Sequence, residues 1–272
     1  MAEYPAIEIA LGSDTDPDLL NRLYALLDDF EPVAIHDDDL NDAWRVFFRT
    51  RASRDAAVAA LRSRGLSASP IDVPDEDWAR RSQQSLRAIT AGKLTIAPPW
   101  DVPEGVPAIV IEPSTGFGTG HHATTRLCLL LMQRLEWRGA RVIDVGTGSG
   151  VLALAAWKLG ATEVTAVDHD ADALANARSN IARNGASPSI DIIHEDLKSL
   201  RMERADVVLA NLTGSILVRF AAELSSLALE GGYLILSGFA PEDLPIIYRA
   251  FARTTRIHEQ IDGEWAAVCL RR

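Results

Sequence analysis

The stretch Val142-Ile143-Asp144-Val145-Gly146-Thr147-Gly148-Ser149-Gly150 joins an apolar run to a helix-forming one. Glycines at such a junction permit a tight turn and let a ligand approach the main chain, and the next helix begins at once. The spacing is G-x-G-x-G behind an acid, not the G-x-G-x-x-G of dinucleotide sites. The plain alternative is a glycine-rich turn without a ligand. The next apolar run closes on Ala166-Val167-Asp168. A carboxylate there accepts both ribose hydroxyls of a nucleoside, a device that NAD enzymes share. A further acid pair, Glu195-Asp196, follows the run after that. Asp196 is placed to meet an adenine amino group, or else to cap a helix.

Ala210-Asn211-Leu212 ends a fourth run. An asparagine carbonyl accepts an amine N–H and so aims the nitrogen lone pair, which makes Asn211 and Leu212 the candidate catalytic pair. The competing reading is a strand-end Asn that satisfies loop backbone. Upstream lies Glu112-Pro113-Ser114-Thr115-Gly116-Phe117-Gly118-Thr119-Gly120-His121-His122-Ala123-Thr124-Thr125, a dense series of turn formers before a helix. His121 and His122 invite a metal or general-base role. Adjacent histidines do not easily reach one ion, and no carboxylate stands at ligand spacing, so no metal is expected. One is expected in the loop's hydrogen-bond network and the other exposed.

These positions need a scaffold. From Ala123 on, helical and strand patterns alternate: helices over Thr124–Leu135, Val151–Leu159, Asp170–Asn184, Ser215–Leu229 and Glu242–Ala252, and strands over Arg141–Val145, Glu163–Asp168, Ser189–His194, Ala205–Ala210 and Gly232–Ser237. Such alternation implies a mostly parallel sheet covered on both faces. Asp262-Gly263 within Thr255–Leu270 signals a closing hairpin. The first seventy or so residues read β-α-β-β-α-β, the order of a ferredoxin-like split βαβ module. Its helices are expected over Asp16–Phe30 and over Ser53–Arg64, with Ser53 as N-cap and Gly65 as stop. Asp37–Asp39 with Asn41 reads as a solvated turn. Pro74–Ala91 is expected to be a helical linker, followed by short strands at Leu94–Ala97 and Ala108–Glu112. The domains expected are 1–73, a linker at 74–92, and 93–272.

The chain has 272 residues, 47% hydrophobic and 24% charged, which is ordinary for a globular protein. No apolar run approaches the ~18 residues that span a bilayer, and the N-terminus lacks a secretory pattern. Cys128 and Cys269 are too few for a disulfide framework, consistent with a reducing, cytoplasmic setting. A formal net charge of −11 argues against gripping nucleic acid and is compatible with a basic protein substrate.

The glycine loop, with its acid on the strand, resembles the cofactor loop of class I methyltransferases. Phe117–Thr125, Asn211-Leu212, Asp77-Trp78 and Gly263-Glu264-Trp265 together resemble the ribosomal protein L11 methyltransferase family, from about Asp75 onward. The resemblance implies an α/β class I methyltransferase fold, a Rossmann-like, mostly parallel seven-stranded sheet with an antiparallel C-terminal hairpin. A small N-terminal ferredoxin-like α+β domain would recognise the substrate. It implies S-adenosylmethionine as cofactor, held by Thr125, the loop around Asp144, Gly146, Thr147, Gly148 and Gly150, by Asp168 and Asp196, and by Asn211. Phe117, Gly118 and Thr119 would form a lid-like loop at the methionine end. It also implies methylation of lysine and N-terminal amines of ribosomal protein L11 by a monomer, with no nucleic acid or membrane partner. Rival readings are a class I methyltransferase for another protein or a small molecule, an NAD-dependent oxidoreductase, and a binding module without turnover.

Overall fold

The computed structural model describes residues 3–10, 23, 26–27, 30, 32–38, 43–74, 86–113 and 122–272. The chain divides into two compact units, Met1–Ser85 and Leu86–Arg272.

In the first unit β1 (Glu3–Ala10), β2 (Pro32–Asp38), β3 (Ala43–Phe48) and β4 (Ala68–Pro74) form an antiparallel sheet in the order β2-β3-β1-β4. That is the order of the split βαβ module. Ile7, Ile9, Trp44, Val46 and Phe48 alternate inward and meet Ala57, Val58 and Leu61 of α1 (Arg51–Ser63). Of the helix expected over Asp16–Phe30, Leu23, Leu26 and Leu27 are described and helical. The N-cap of α1 is Thr50 rather than Ser53: Thr50 is extended, and its hydroxyl accepts the Ser53 N–H at 3.1 Å. Gly65 (φ 78°) does end the helix, and the Leu66 N–H reaches back to the Leu61 carbonyl. Asp37 and Asp38 belong to β2, opposite Trp44 and Ala43, instead of to a turn; Asp39 and Asn41 lie outside the described residues.

The second unit opens with a three-stranded sheet, β5 (Ile89–Ala91), β6 (Leu94–Ala97) and β7 (Ala108–Val110). Here the expected helical linker is corrected, because Ile89 and Thr90 pair with β6 across a turn at Gly92 (φ 63°). Residues 75–85 of that linker lie outside the described residues. Strand β7 stops at Val110, two residues short of expectation, because the Glu112 N–H goes to a helix side chain, the Asn180 Oδ1, instead of to a strand.

The main sheet contains β8 (Arg141–Val145), β9 (Glu163–Asp168), β10 (Ile190–His194), β11 (Ala205–Asn211), β12 (Ala228–Phe239), β13 (Thr255–Asp262) and β14 (Trp265–Arg271). Its order is β10-β9-β8-β11-β12-β14-β13, parallel through β12 and antiparallel thereafter. Alternate strand residues feed two cores. Val142, Val164 and Leu209 pack with α2 (Ala123–Met132), α3 (Val151–Leu159) and α4 (Ala171–Arg183). Ile143, Val208 and Leu236 pack with α5 (Gly214–Arg219), α6 (Ala221–Leu227) and α7 (Leu244–Ala250). The helix expected over Ser215–Leu229 is therefore two, because Phe220 (φ −110°, ψ 22°) leaves helical geometry between α5 and α6. The helix expected from Glu242 begins as a 3-10 turn, Pro241–Asp243, with Pro245 in the first turn of α7, where no amide donor is needed. Successive strands run one way from β8 to β10 and the other way from β11, so the switch point lies at the carboxyl end of β8.

Candidate functional site

The glycine loop sits at that switch point. Gly146, Gly148 and Gly150 have φ of 69°, 54° and 81°, the left-handed region that favours glycine. The Gly146 and Thr147 N–H groups both donate to the Val167 carbonyl, at 2.9 and 3.0 Å, and tie the loop to the end of β9. Beneath the loop Asp144 is buried. Its Oδ2 accepts from the Thr147 hydroxyl at 2.7 Å and from the Ala153 N–H at 3.1 Å. Its Oδ1 has no partner among the described residues. Burial pushes the Asp144 carboxyl up to about 6, against the pull of those two hydrogen bonds. Asp144 and Thr147 thus bind each other and brace the turn.

Asp168 ends β9 beside the loop. Its Oδ2 accepts the Gly148 N–H at 2.9 Å and its Oδ1 the Asp170 N–H at 3.1 Å. The His169 Nδ1 lies 3.4 Å from the same Oδ1, and an ionised carboxylate has about four acceptor sites, so the group keeps acceptor capacity for a further donor. A cleft of about 160 Å³ opens here, lined by Val145, Gly146, Val167, Asp168, Asp196, Leu197 and Leu212 among others. Its lining combines apolar side chains with the carboxylates of Asp168, Glu195 and Asp196 and the cations Lys198 and Arg219; the apolar part suits a purine base and a carboxylate suits a ribose diol. Asp196 lines the cleft, and its Oδ1 accepts the Lys198 N–H at 2.8 Å, capping a turn rather than a helix.

Asn211 stands at the carboxyl end of β11, the strand that pairs with β8. Its Nδ2 donates to the hydroxyls of Thr124 at 3.1 Å and Thr125 at 3.4 Å, both buried in the first turn of α2. His122 is the N-cap of α2, with its Nδ1 2.8 Å from the Thr124 Oγ1, and its ring meets Trp265 edge-on at 4.7 Å. Asn211, Thr125, the glycine loop and Asp168 are thereby gathered at one end of the sheet. Phe117, Gly118, Thr119 and His121 lie outside the described residues. Among the described residues no three His, Cys, Asp or Glu side chains cluster as a metal site would require.

Sequence reasoning missed three residues. Gly238 (φ 98°) lets the chain pass Leu212, since a β-carbon there would lie 2.3 Å from the Leu212 carbonyl oxygen. Asn180, fully buried, donates to the Ser149 carbonyl at 3.0 Å and accepts the Glu112 N–H at 2.9 Å. Asn184, one turn on, accepts the Val110 N–H at 2.9 Å and donates to its carbonyl at 2.7 Å. Two asparagines four apart on a helix face were the available signal, because Asn disfavours helix interiors unless it has a partner. A larger hollow of about 400 Å³, lined by Gly92, Arg126 and Asp262 among others, touches neither the glycine loop nor Asn211.

The profile of the family "Ribosomal protein L11 methyltransferase (PrmA)" matches residues 19–272. The chain is 38% identical over 244 residues to the ribosomal protein L11 methyltransferase of Deinococcus radiodurans, covering 84% of this chain and 86% of that one. It is 40% identical over 215 residues to the Geobacter sulfurreducens protein of that name, covering 75% and 71%. The crystal structure of ribosomal protein L11 methylase from Lactobacillus delbrueckii subsp. bulgaricus superposes with a TM-score of 0.63 at 31% identity, covering 69% of this chain and 98% of that one.

Proposed function

The chain belongs to the ribosomal protein L11 methyltransferase family of S-adenosylmethionine-dependent class I methyltransferases, and we propose that it methylates lysine side chains and the N-terminal α-amine of ribosomal protein L11. The observation that carries this is the placement of Asn211 on the strand next to the glycine loop, at the same sheet end as Asp168. The residues present fit the cofactor: the cleft, with Leu197 and Leu212 beside Asp168 and Asp196 in its lining, suits the nucleoside, and the Thr125 hydroxyl and Asn211 suit the amino-acid end. Gly146, Gly148 and Gly150 keep the main chain bare beside it. Bound there, S-adenosylmethionine supplies a methyl group on a sulfonium, open to direct displacement.

The chain's own task is alignment and desolvation. Asn211 Oδ1 accepts an N–H of the incoming amine and holds its lone pair on line. A lysine ammonium, with pKa about 10.4, attacks only after losing its proton. Apolar surroundings such as Leu212 lower that pKa, and an α-amine, at about 7.7–8.0, loses its proton more readily. The proton is released to solvent, and no obligatory general base is required. We assign substrate recognition to the N-terminal module, residues 1–73, and catalysis to the second unit, which takes in β5 as well as residues 93–272, of a cytoplasmic monomer. Among the described residues no helix is long and apolar enough to cross a membrane.

The test is mass spectrometry of purified L11 after incubation with this protein and labelled S-adenosylmethionine. Added methyl groups on lysines and the α-amine are expected. Unmodified L11 beside a different labelled protein from a lysate overturns the substrate assignment and leaves methyl transfer standing. S-adenosylmethionine, and not NADH, should raise the melting temperature.

A further inference from the structure

Three side chains form a directed relay behind the candidate catalytic amide. The Thr124 N–H points at the His122 Nδ1 at 3.4 Å, so that nitrogen carries a lone pair and the ring proton sits on Nε2. The Thr124 Oγ1 lies 2.8 Å from the same nitrogen. Facing an acceptor, the Thr124 hydroxyl must donate, and its oxygen is then left to accept. What it meets at 3.1 Å is the Asn211 side-chain amide. An amide oxygen there would set acceptor against acceptor, whereas the NH₂ group donates. The second hydrogen of that NH₂ points to the Thr125 Oγ1 at 3.4 Å, so both donors are occupied on one side.

We propose that Thr124 and His122 are positioning residues that fix which way round the Asn211 amide lies, leaving its carbonyl oxygen for the substrate amine. This rests on the reading of Asn211 as the amine acceptor. The elements that enforce it are independent. His122 is held as the N-cap of α2 and by Trp265 of β14, Thr124 is buried, and Asn211 is fixed by the pairing of β11 with β12 opposite Ser237. A flipped amide would present NH₂ to the substrate nitrogen and compete for the lone pair that must attack.

The relay depends on a neutral imidazole. The charge that acts on His122 is Arg126 on its own helix, which is ion-paired with Asp262 of β13 at 2.7 Å. From β14 the aromatic Trp265 meets the ring edge-on. The His122 residue is solvent-exposed, but desolvation on the side of the ring packed against Trp265, together with the Arg126 charge, pushes its pKa down, so the ring is neutral near pH 7. Protonation would put a hydrogen on Nδ1, facing the Thr124 N–H, and end the N-cap. The released hydroxyl proton would then point back toward Asn211, where an amide oxygen is the better partner.

The deciding experiment follows the Asn211 side-chain ¹⁵N–¹H₂ signals, identified by their loss in Asn211→Ala, through a pH titration of the full-length protein. In the native protein they should shift with the midpoint of the His122 ring, and in Thr124→Val they should not. Native signals that ignore His122, or a Thr124→Val titration like the native one, overturn the proposal. This readout needs no substrate, so it stands even if L11 proves unmodified. On a methylated amine substrate, Thr124→Val should lower kcat about tenfold, as expected for one lost ordering hydrogen bond, with a smaller change in the KM for S-adenosylmethionine. Thr124→Ser should recover most of that loss. A serine variant as slow as the valine one also overturns the relay.

Discussion

Leu212 lies directly over Gly146: a β-carbon on that glycine would come within 2.4 Å of the leucine Cδ2. The residue after the candidate catalytic asparagine thus closes on the first glycine of the cofactor loop. Gly146→Ala must displace Leu212 and also hold alanine at a φ of 69°. The positive φ alone costs roughly 1 kcal/mol or more. S-adenosylmethionine affinity should fall at least tenfold by calorimetry, and Gly146→Ala with Leu212→Ala should recover part of it. No recovery would mean that the leucine does not set the loop.

Asp168 predicts a second affinity effect. Asp168→Asn keeps an oxygen for one of the two backbone donors at Gly148 and Asp170 but gives up the charge offered to a ribose diol. Hydrogen bonds to charged groups contribute about 1.5–3 kcal/mol, so cofactor affinity should weaken roughly 10- to 100-fold. A dissociation constant within twofold of the native one would remove Asp168 from the cofactor site.

Asp144 predicts a pH-dependent stability. Its folded pKa is raised from 3.8 to about 6, so the folded state holds the proton more tightly than the unfolded chain. The stability from the neutral acid is complete below about pH 4 and is lost as pH rises through about 6, on the order of 3 kcal/mol in all. Asp144→Asn has no such titration. Urea unfolding across that range should show the variant gaining on the native protein as pH rises, and a constant difference would contradict the buried, raised carboxyl.

Asn180 predicts a structural cost. Asn180→Ala takes from the Glu112 N–H its acceptor and from the Ser149 carbonyl a donor, in a fully buried position. The expected loss is roughly 2–4 kcal/mol by urea unfolding. Asn184→Ala, at a half-buried position, should cost less. Equal costs would argue that burial is not what makes Asn180 matter.

The residue pattern alone determined the parallel sheet, the closing hairpin at Asp262-Gly263 and the positions of Asp168 and Asn211. Strand and helix periods and glycine spacing are local signals, and each is carried by a few consecutive residues. Where a neighbour in space decided, the local signals fell short. Ile89–Ala91 became a strand because β6 turned back on it, and Phe220 broke one expected helix into two that pack into the same core. The turn formers before α2 marked that region as functional, but not the relay from His122 through Thr124 to Asn211. Asn211 lies 87 residues from Thr124 in the chain, and only the packing of α2 against the end of β11 brings the two within 3.1 Å. The same holds for Asn180 and Glu112, and for Leu212 between Gly146 and Gly238. Sequence determined which groups were on hand, while the fold decided which donor faces which acceptor, because hydrogen bonding depends on distance and direction that spacing along a chain does not encode.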